Sequence, residues 1–136
     1  MVMSGTRLIL VADGDEALLK KVTSLAKGEG YDVVTTSSGR QVIPLALQHR
    51  PALIVLDVAL PDADGRDLLK EIKRDARLSE VLVLMWSERD YDSDRRIALE
   101  LGAEDYLPKS DSVMLMPKVA RILLRAKQQS ELDRRA

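Results

Sequence analysis

Four polar side chains, Asp13, Asp57, Ser87 and Lys109, are far apart in the sequence, yet each ends or follows a short apolar run. Two carboxylates brought face to face repel each other unless a cation lies between them. An oxygen-only site with few protein ligands and room for water and phosphate suits Mg²⁺. A lysine beside them can pair with a carboxylate or with an incoming phosphoryl oxygen, and a serine hydroxyl can donate to another such oxygen. Together these are the parts of phosphoryl transfer to a carboxylate, where positioning and charge neutralisation do most of the work.

For that chemistry the four residues must converge, and the pattern of elements predicts that they do. Apolar runs at 8–12, 31–35, 52–56, 81–86 and 105–107 alternate with segments of helical spacing. The first, third and fourth runs are almost continuously apolar, the mark of strands covered on both faces, as in a parallel sheet. Between them Leu18, Val22, Leu25 and Ala26 repeat at helical intervals, as do Leu68, Leu69 and Ile72, then Ile97, Ala98 and Leu101, and finally Val119, Ile122, Leu123 and Ala126. Asp15 is placed to cap the first helix, and Ser38 with Gln41 has capping-box spacing for the second. Gly28, Gly30 and Gly102 stand where helices should stop. Pro44 lies inside the second helical segment, so a kink or frayed start is expected there. Five β-α units in a row give an open α/β sheet with right-handed crossovers. Its ligand site should lie beyond the carboxyl ends of the central strands.

Composition narrows the classes. The chain has 136 residues, 46% of them apolar, which fits one domain with one sizeable core. Phe is absent, so that core must be largely aliphatic. With 21 basic and 22 acidic side chains, nothing draws the chain as a whole to nucleic acid or to an anionic membrane. The lack of cysteine excludes disulfides and thiolate chemistry. No apolar run approaches the ~18–20 residues that span a bilayer, and 1–7 lacks the apolar stretch of a signal peptide. A cytoplasmic location is expected.

The stretches RLILVADGDEALL, RPALIVLDVALPDADGRDLLKEIK, VLVLMWS and ALELGAEDYLPKS resemble the response-regulator receiver family over residues 7 to about 126. The central stretch is the most specific: an apolar strand, Asp57, Pro61 four residues on, then Asp64-Gly65 opening a helix. The resemblance implies a flavodoxin-like, doubly wound, five-stranded parallel sheet of order 2-1-3-4-5 with five helices. It implies that Asp57 is the phosphoacceptor, that Asp13, Asp57 and the carbonyl of Ala59 hold Mg²⁺, and that Lys109 neutralises the phosphoryl charge. Ser87 and Tyr106 would be the switch pair, with the ring of Tyr106 swinging inward and altering the face of the fourth helix, fifth strand and fifth helix. The implied partners are a sensor histidine kinase or phosphotransfer protein, and an output domain or protein at that face.

Three departures stand out. The family has two adjacent acids after the first strand, whereas Ala12-Asp13-Gly14-Asp15 lacks one of the pair, at either Ala12 or Gly14. Glu88 follows Ser87, where the family has a small residue, and adds negative charge at the pocket mouth. Ser110 follows Lys109, where the family has proline after a cis bond; a trans bond is expected here, since serine lacks the tertiary amide that makes cis inexpensive. The incomplete acid pair keeps a rival open, a pseudo-receiver of the same fold that signals by protein binding without phosphate. A phosphohydrolase is a poorer rival, because Ala59 stands where a second catalytic acid would be. The segment from Pro117 to Ala136 carries a net charge of +4. It divides the chain into a receiver domain at 1–126 and a helical extension at 127–136, the latter suited to weak homodimer contacts.

Overall fold

The computed structural model describes residues 7–135. Strand β1 (Leu8–Ala12) leads into helix α1 (Glu16–Gly28), followed by β2 (Asp32–Thr36), α2 (Val42–His49) and β3 (Leu53–Asp57). A two-stranded antiparallel hairpin, β4 (Ala59–Leu60) and β5 (Ala63–Asp64), comes next, then α3 (Gly65–Arg74), β6 (Leu82–Ser87), α4 (Asp92–Glu100), β7 (Asp105–Pro108) and α5 (Leu115–Arg135). The main sheet has five strands in the order β2-β1-β3-β6-β7, all paired in parallel. In order of the main strands this is the 2-1-3-4-5 arrangement.

The continuous apolar runs have the reason anticipated for them: both faces of the sheet are covered. Along β1, Ile9 and Val11 pack with Leu19, Val22 and Ala26 of α1 and with Val119 and Ile122 of α5. Leu10 and Ala12, on the opposite face, pack with Val42 of α2 and with Leu69 and Ile72 of α3. The same alternation runs through β3, with Leu53 and Val55 on one side and Ile54 and Leu56 on the other. Burying each such aliphatic side chain contributes ~1.5–3 kcal/mol, and a one-residue slip would exchange the two cores. The register is thereby fixed, and with it the residues that emerge at the strand ends.

Several local expectations need correction. Ser38 forms no capping box: its hydroxyl donates to Asp62 Oδ2 at 2.7 Å, and it precedes a 3-10 turn at Gly39–Gln41 without capping it. That turn displaces the start of α2 to Val42, so Pro44 falls in the first helical turn, where its missing N–H has no intrahelical partner to lose. No kink is needed. In α1 the core position belongs to Leu19, while Leu25 is 47% exposed; in α4, Ala98 is buried and Ile97 is 38% exposed. Gly28 is still helical, and Gly30 and Gly102 make the stops, at φ of 90° and 107°. Asp15 does cap α1, accepting from the N–H groups of Ala17 and Leu18. Helix α5 continues to Arg135, and every described residue past Ala126 is exposed.

Candidate functional site

Asp13 follows the last residue of β1, Asp57 is the last residue of β3 and Ser87 the last of β6, while Lys109 follows β7. Parallel pairing brings these ends to one edge of the sheet; Asp57 is in register with Trp86, next to Ser87, and Ser87 with Pro108, next to Lys109. All four predicted chemical residues therefore converge.

Lys109 Nζ lies 2.6 Å from Asp13 Oδ2 and 3.0 Å from Asp57 Oδ2. The contact with Asp57 is a hydrogen bond. The contact with Asp13 is an ion pair without hydrogen-bond geometry, and it leaves Oδ2 buried with no hydrogen-bonding partner. The other carboxylate oxygens are held from the backbone: Asp13 Oδ1 accepts from Asp15 N–H at 2.8 Å, and Asp57 Oδ1 from Ala59 N–H at 3.1 Å. Burial pushes the Asp57 carboxyl above the usual range, against the pull of Lys109 and Ala59 and with added repulsion from Asp13. Burial would lower the Lys109 ammonium, but its pairs with Asp13 and Asp57 outweigh that and hold it above an ordinary lysine.

Close packing sets the position of Asp57. A Cβ on Gly65 would sit 2.1 Å from the Asp57 carbonyl oxygen, and Gly65 N–H donates to the Val58 carbonyl at 2.7 Å. Only glycine lets α3 start this near the strand end. The loop between β4 and β5 is tied to the turn before α2 by Asp62, which accepts from Ser38, Gly39 and Arg40. These bonds, led by the Ser38 hydroxyl, lower the Asp62 carboxyl to about 2.

The remaining predicted residues fall as follows. Ser87 Oγ accepts from Arg89 N–H at 3.1 Å, and Tyr106 OH donates to the Arg89 carbonyl at 2.7 Å. Tyr106 is already turned into the core, 1% exposed, where the sequence predicted a ring that swings. Ala59 opens the hairpin, with its N–H on Asp57. Among the described residues there is no cis peptide bond, so the bond between Lys109 and Ser110 is trans. Ala12 packs in the apolar cluster with Leu10 and Leu56, where an acid would be desolvated. Gly14 is exposed, with Pro61 ring atoms 3.0 Å from where its Cβ would be. Position 14 is thus where the site lacks an acid. Arg89, which joins Ser87 to Tyr106 through its main chain, and Asp62 were not anticipated; the bonds from Tyr106 to Arg89 and from Ser38 to Asp62 link residues far apart in the sequence and leave no local signal.

Two carboxylates at one edge of the sheet are oxygen donors of the kind that suits a hard divalent cation, and Asp13 Oδ2, buried 2.6 Å from Lys109 Nζ but outside hydrogen-bond geometry, has acceptor capacity left for one. Among the described residues no three acidic or imidazole side chains cluster tightly enough to hold a metal by themselves.

A family model described as the response regulator receiver domain matches residues 9–120. The chain belongs to this family. Among curated relatives, this receiver domain is 37% identical over 101 residues to the alkaline phosphatase synthesis transcriptional regulatory protein PhoP of Bacillus subtilis, covering 74% of the chain and 41% of PhoP. It is 34% identical over 129 residues to the transcriptional regulatory protein BaeR of Escherichia coli, covering 94% of the chain and 52% of BaeR. The chain thus spans about half the length of these relatives. Among solved structures, a signal receiver domain from Vibrio parahaemolyticus superposes with a TM-score of 0.84 at 28% identity, covering 93% of this chain and 96% of that one. The Mn²⁺-bound form of response regulator Rcp1 superposes with a TM-score of 0.68 at 26% identity, covering 76% of this chain and 81% of that one. The receiver domain is a component of two-component signal transduction rather than an enzyme in the ordinary sense. No described helix is long and apolar enough to cross a membrane.

Proposed function

We propose that this receiver domain accepts a phosphoryl group on Asp57 from a sensor histidine kinase or phosphotransfer protein. The observation that carries the reading is Lys109 Nζ 3.0 Å from Asp57 Oδ2 and 2.6 Å from Asp13 Oδ2, at the converging strand ends. The Asp57 carboxylate attacks phosphorus and forms the O–P bond, the P–N bond of a phosphohistidine whose ring has taken up a proton from water breaks, and the electron pair leaves with the neutral imidazole. Lys109 is placed to exchange its carboxylate partner for a phosphoryl oxygen. The Ser87 hydroxyl, which only accepts in its bond from Arg89, keeps its proton for another. Asp13, Asp57 and the Ala59 carbonyl would hold Mg²⁺, whose charge offsets that of the phosphoryl oxygens.

The signal would leave through Tyr106 and the face of α4, β7 and α5, to an output domain or protein partner. Asp105 ties this face together, bonded to Arg95 of α4 at 2.8 Å and Lys118 of α5 at 2.6 Å. The exposed segment past Ala126 would be a helical extension, suited to weak self-association.

One observation favours a second reading, a pseudo-receiver: Lys109 already pairs with both carboxylates while position 14 offers no acid. Mass spectrometry after incubation with acetyl phosphate and Mg²⁺ separates the two. The phosphoacceptor reading expects a phosphoryl adduct on the wild type and none on Asp57→Asn. No adduct on folded wild-type protein at saturating Mg²⁺ favours the pseudo-receiver, and an adduct that persists in Asp57→Asn rules out this acceptor.

A further inference from the structure

We infer that Glu88 replaces, from the opposite side of the pocket, the acid that position 14 lacks, and so acts as a cation-attracting residue of the divalent-metal site. The inference rests on the reading of Asp13 and Asp57 as metal ligands. Glu88 Oε1 lies 4.0 Å from Lys109 Nζ, so one ammonium has three carboxylates within reach, Asp13 at 2.6 Å, Asp57 at 3.0 Å and, too far out to join them as a direct metal ligand, Glu88 at 4.0 Å. Groups so disposed about one cation are disposed to attract another. Asp13 Oδ2, buried and paired with Lys109 at 2.6 Å outside hydrogen-bond geometry, keeps lone-pair capacity for a further ligand.

Charge points the same way. Asp13 and Asp57 together with Lys109 leave one net negative charge in the pocket, and Glu88 makes it two, matching a divalent ion. Recovering the acid at position 14 would meet resistance, since Pro61 crowds any Cβ there at 3.0 Å. Glu88 meets no such crowding, and its side chain is 85% exposed. A carboxylate at this distance reaches a small ion through one of its waters, and Mg²⁺ retains several. Its contribution is therefore electrostatic and falls with salt.

Trp86, the sole tryptophan, has its ring 5.4 Å from Lys109 Nζ and reports on the site by fluorescence. MgCl₂ and MnCl₂ titrations of the full chain, followed by Trp86 emission and by calorimetry, test the inference. Glu88→Gln is expected to weaken metal affinity about tenfold (~1.4 kcal/mol) at low salt, with less difference at high salt, and Glu88→Asp to recover part of the loss. Affinity unchanged in Glu88→Gln while Asp13→Asn weakens it overturns the role of Glu88 and leaves the Asp13–Asp57 site standing. Absence of metal binding by the wild type overturns both. A matching urea midpoint for Glu88→Gln and wild type establishes that a measured loss is not one of folding.

Discussion

Lys109 Nζ is closer to Asp13 Oδ2, at 2.6 Å, than to Asp57 Oδ2, at 3.0 Å, yet only the Asp57 contact has hydrogen-bond geometry. One ammonium thus holds two buried carboxylates that would otherwise face each other. Breaking a buried ion pair by removing one partner costs ~3–5 kcal/mol, because the survivor is left uncompensated. Lys109→Met is accordingly expected to destabilise the domain by about 3 kcal/mol at neutral pH, read from urea unfolding, and to abolish the acetyl phosphate adduct. The double variant Lys109→Met/Asp13→Asn should recover much of the stability and none of the reactivity. Equal stability of Lys109→Met and wild type would mean that the two carboxylates do not depend on this ammonium.

Gly65 and Asp57 illustrate a different constraint, one of space. With a Cβ only 2.1 Å from the Asp57 carbonyl oxygen, Gly65→Ala must push α3 away from the strand end or break the bond from Gly65 N–H to Val58. Overpacking of this kind costs ~1–3 kcal/mol. A drop of that size in unfolding free energy is expected, together with slower adduct formation because the loop that orients Asp57 shifts. Unchanged stability would show that α3 can begin elsewhere.

Asp62 provides a pH signature. Its folded carboxyl is lowered to about 2 by the Ser38 hydroxyl and by backbone N–H groups, against an ordinary value of 3.8. A carboxyl lowered by folding stabilises the folded state above its unfolded value, and that contribution is lost as pH falls through the folded value. The urea midpoint of wild type should therefore exceed that of Asp62→Asn at about pH 5 to 7, and the gap should narrow between about pH 4 and 2. A gap independent of pH would mean that the ionised form contributes nothing particular.

These cases also show why the sequence is legible in some places and not in others. The sheet can be read because burial on both faces writes continuous apolar runs, and Asp57 and Lys109 because strand ends in such a sheet must converge. Ser38 misleads because its hydroxyl has a local partner on paper, while its actual partner, Asp62, is 24 residues away. Leu25 and Ile97 mislead because α1 and α4 carry more apolar residues than the core accepts. Whether Ala12 or Gly14 replaces the acid is not decided by spacing. It follows from the pleat, which turns Ala12 into the cluster with Leu56.

Tyr106 OH donates to the Arg89 carbonyl, and Arg89 N–H donates to Ser87 Oγ, so the hydroxyl at the end of β6 and the buried ring share one residue. Tyr106→Phe removes a single hydrogen bond and should cost ~0.5–1.5 kcal/mol. The larger effect should be on dynamics: without the phenol the loop at 88–91 loses its tie to β7, and amide exchange there should speed up while the core of the sheet stays protected. Exchange unchanged at Arg89 would show that the loop is held by other contacts, such as the Arg89–Asp94 ion pair at 3.1 Å.

The end of α5 contributes no buried residue. Residues 127–135 are all exposed, with Leu132 the one large apolar side chain among them, 57% exposed. The bond from Gln129 to Asp133 is a surface bond between side chains of the same helix. Nothing in this stretch buries a stripe against the sheet, while Val119 and Ile122, earlier in the same helix, are core residues. Surface changes of this kind fall within about ±0.5 kcal/mol. Truncation after Lys127 should therefore move the melting temperature by no more than about 2–4 °C. The helix is nevertheless rich in good helix formers, so circular dichroism should lose about two turns of helix on truncation, and any self-association seen by sedimentation should weaken. Lys118→Met is the matched control: it removes the ammonium that holds Asp105 at 2.6 Å and should lower stability where loss of the tail does not. A fall in melting temperature on truncation well beyond that range would place the tail against its own domain.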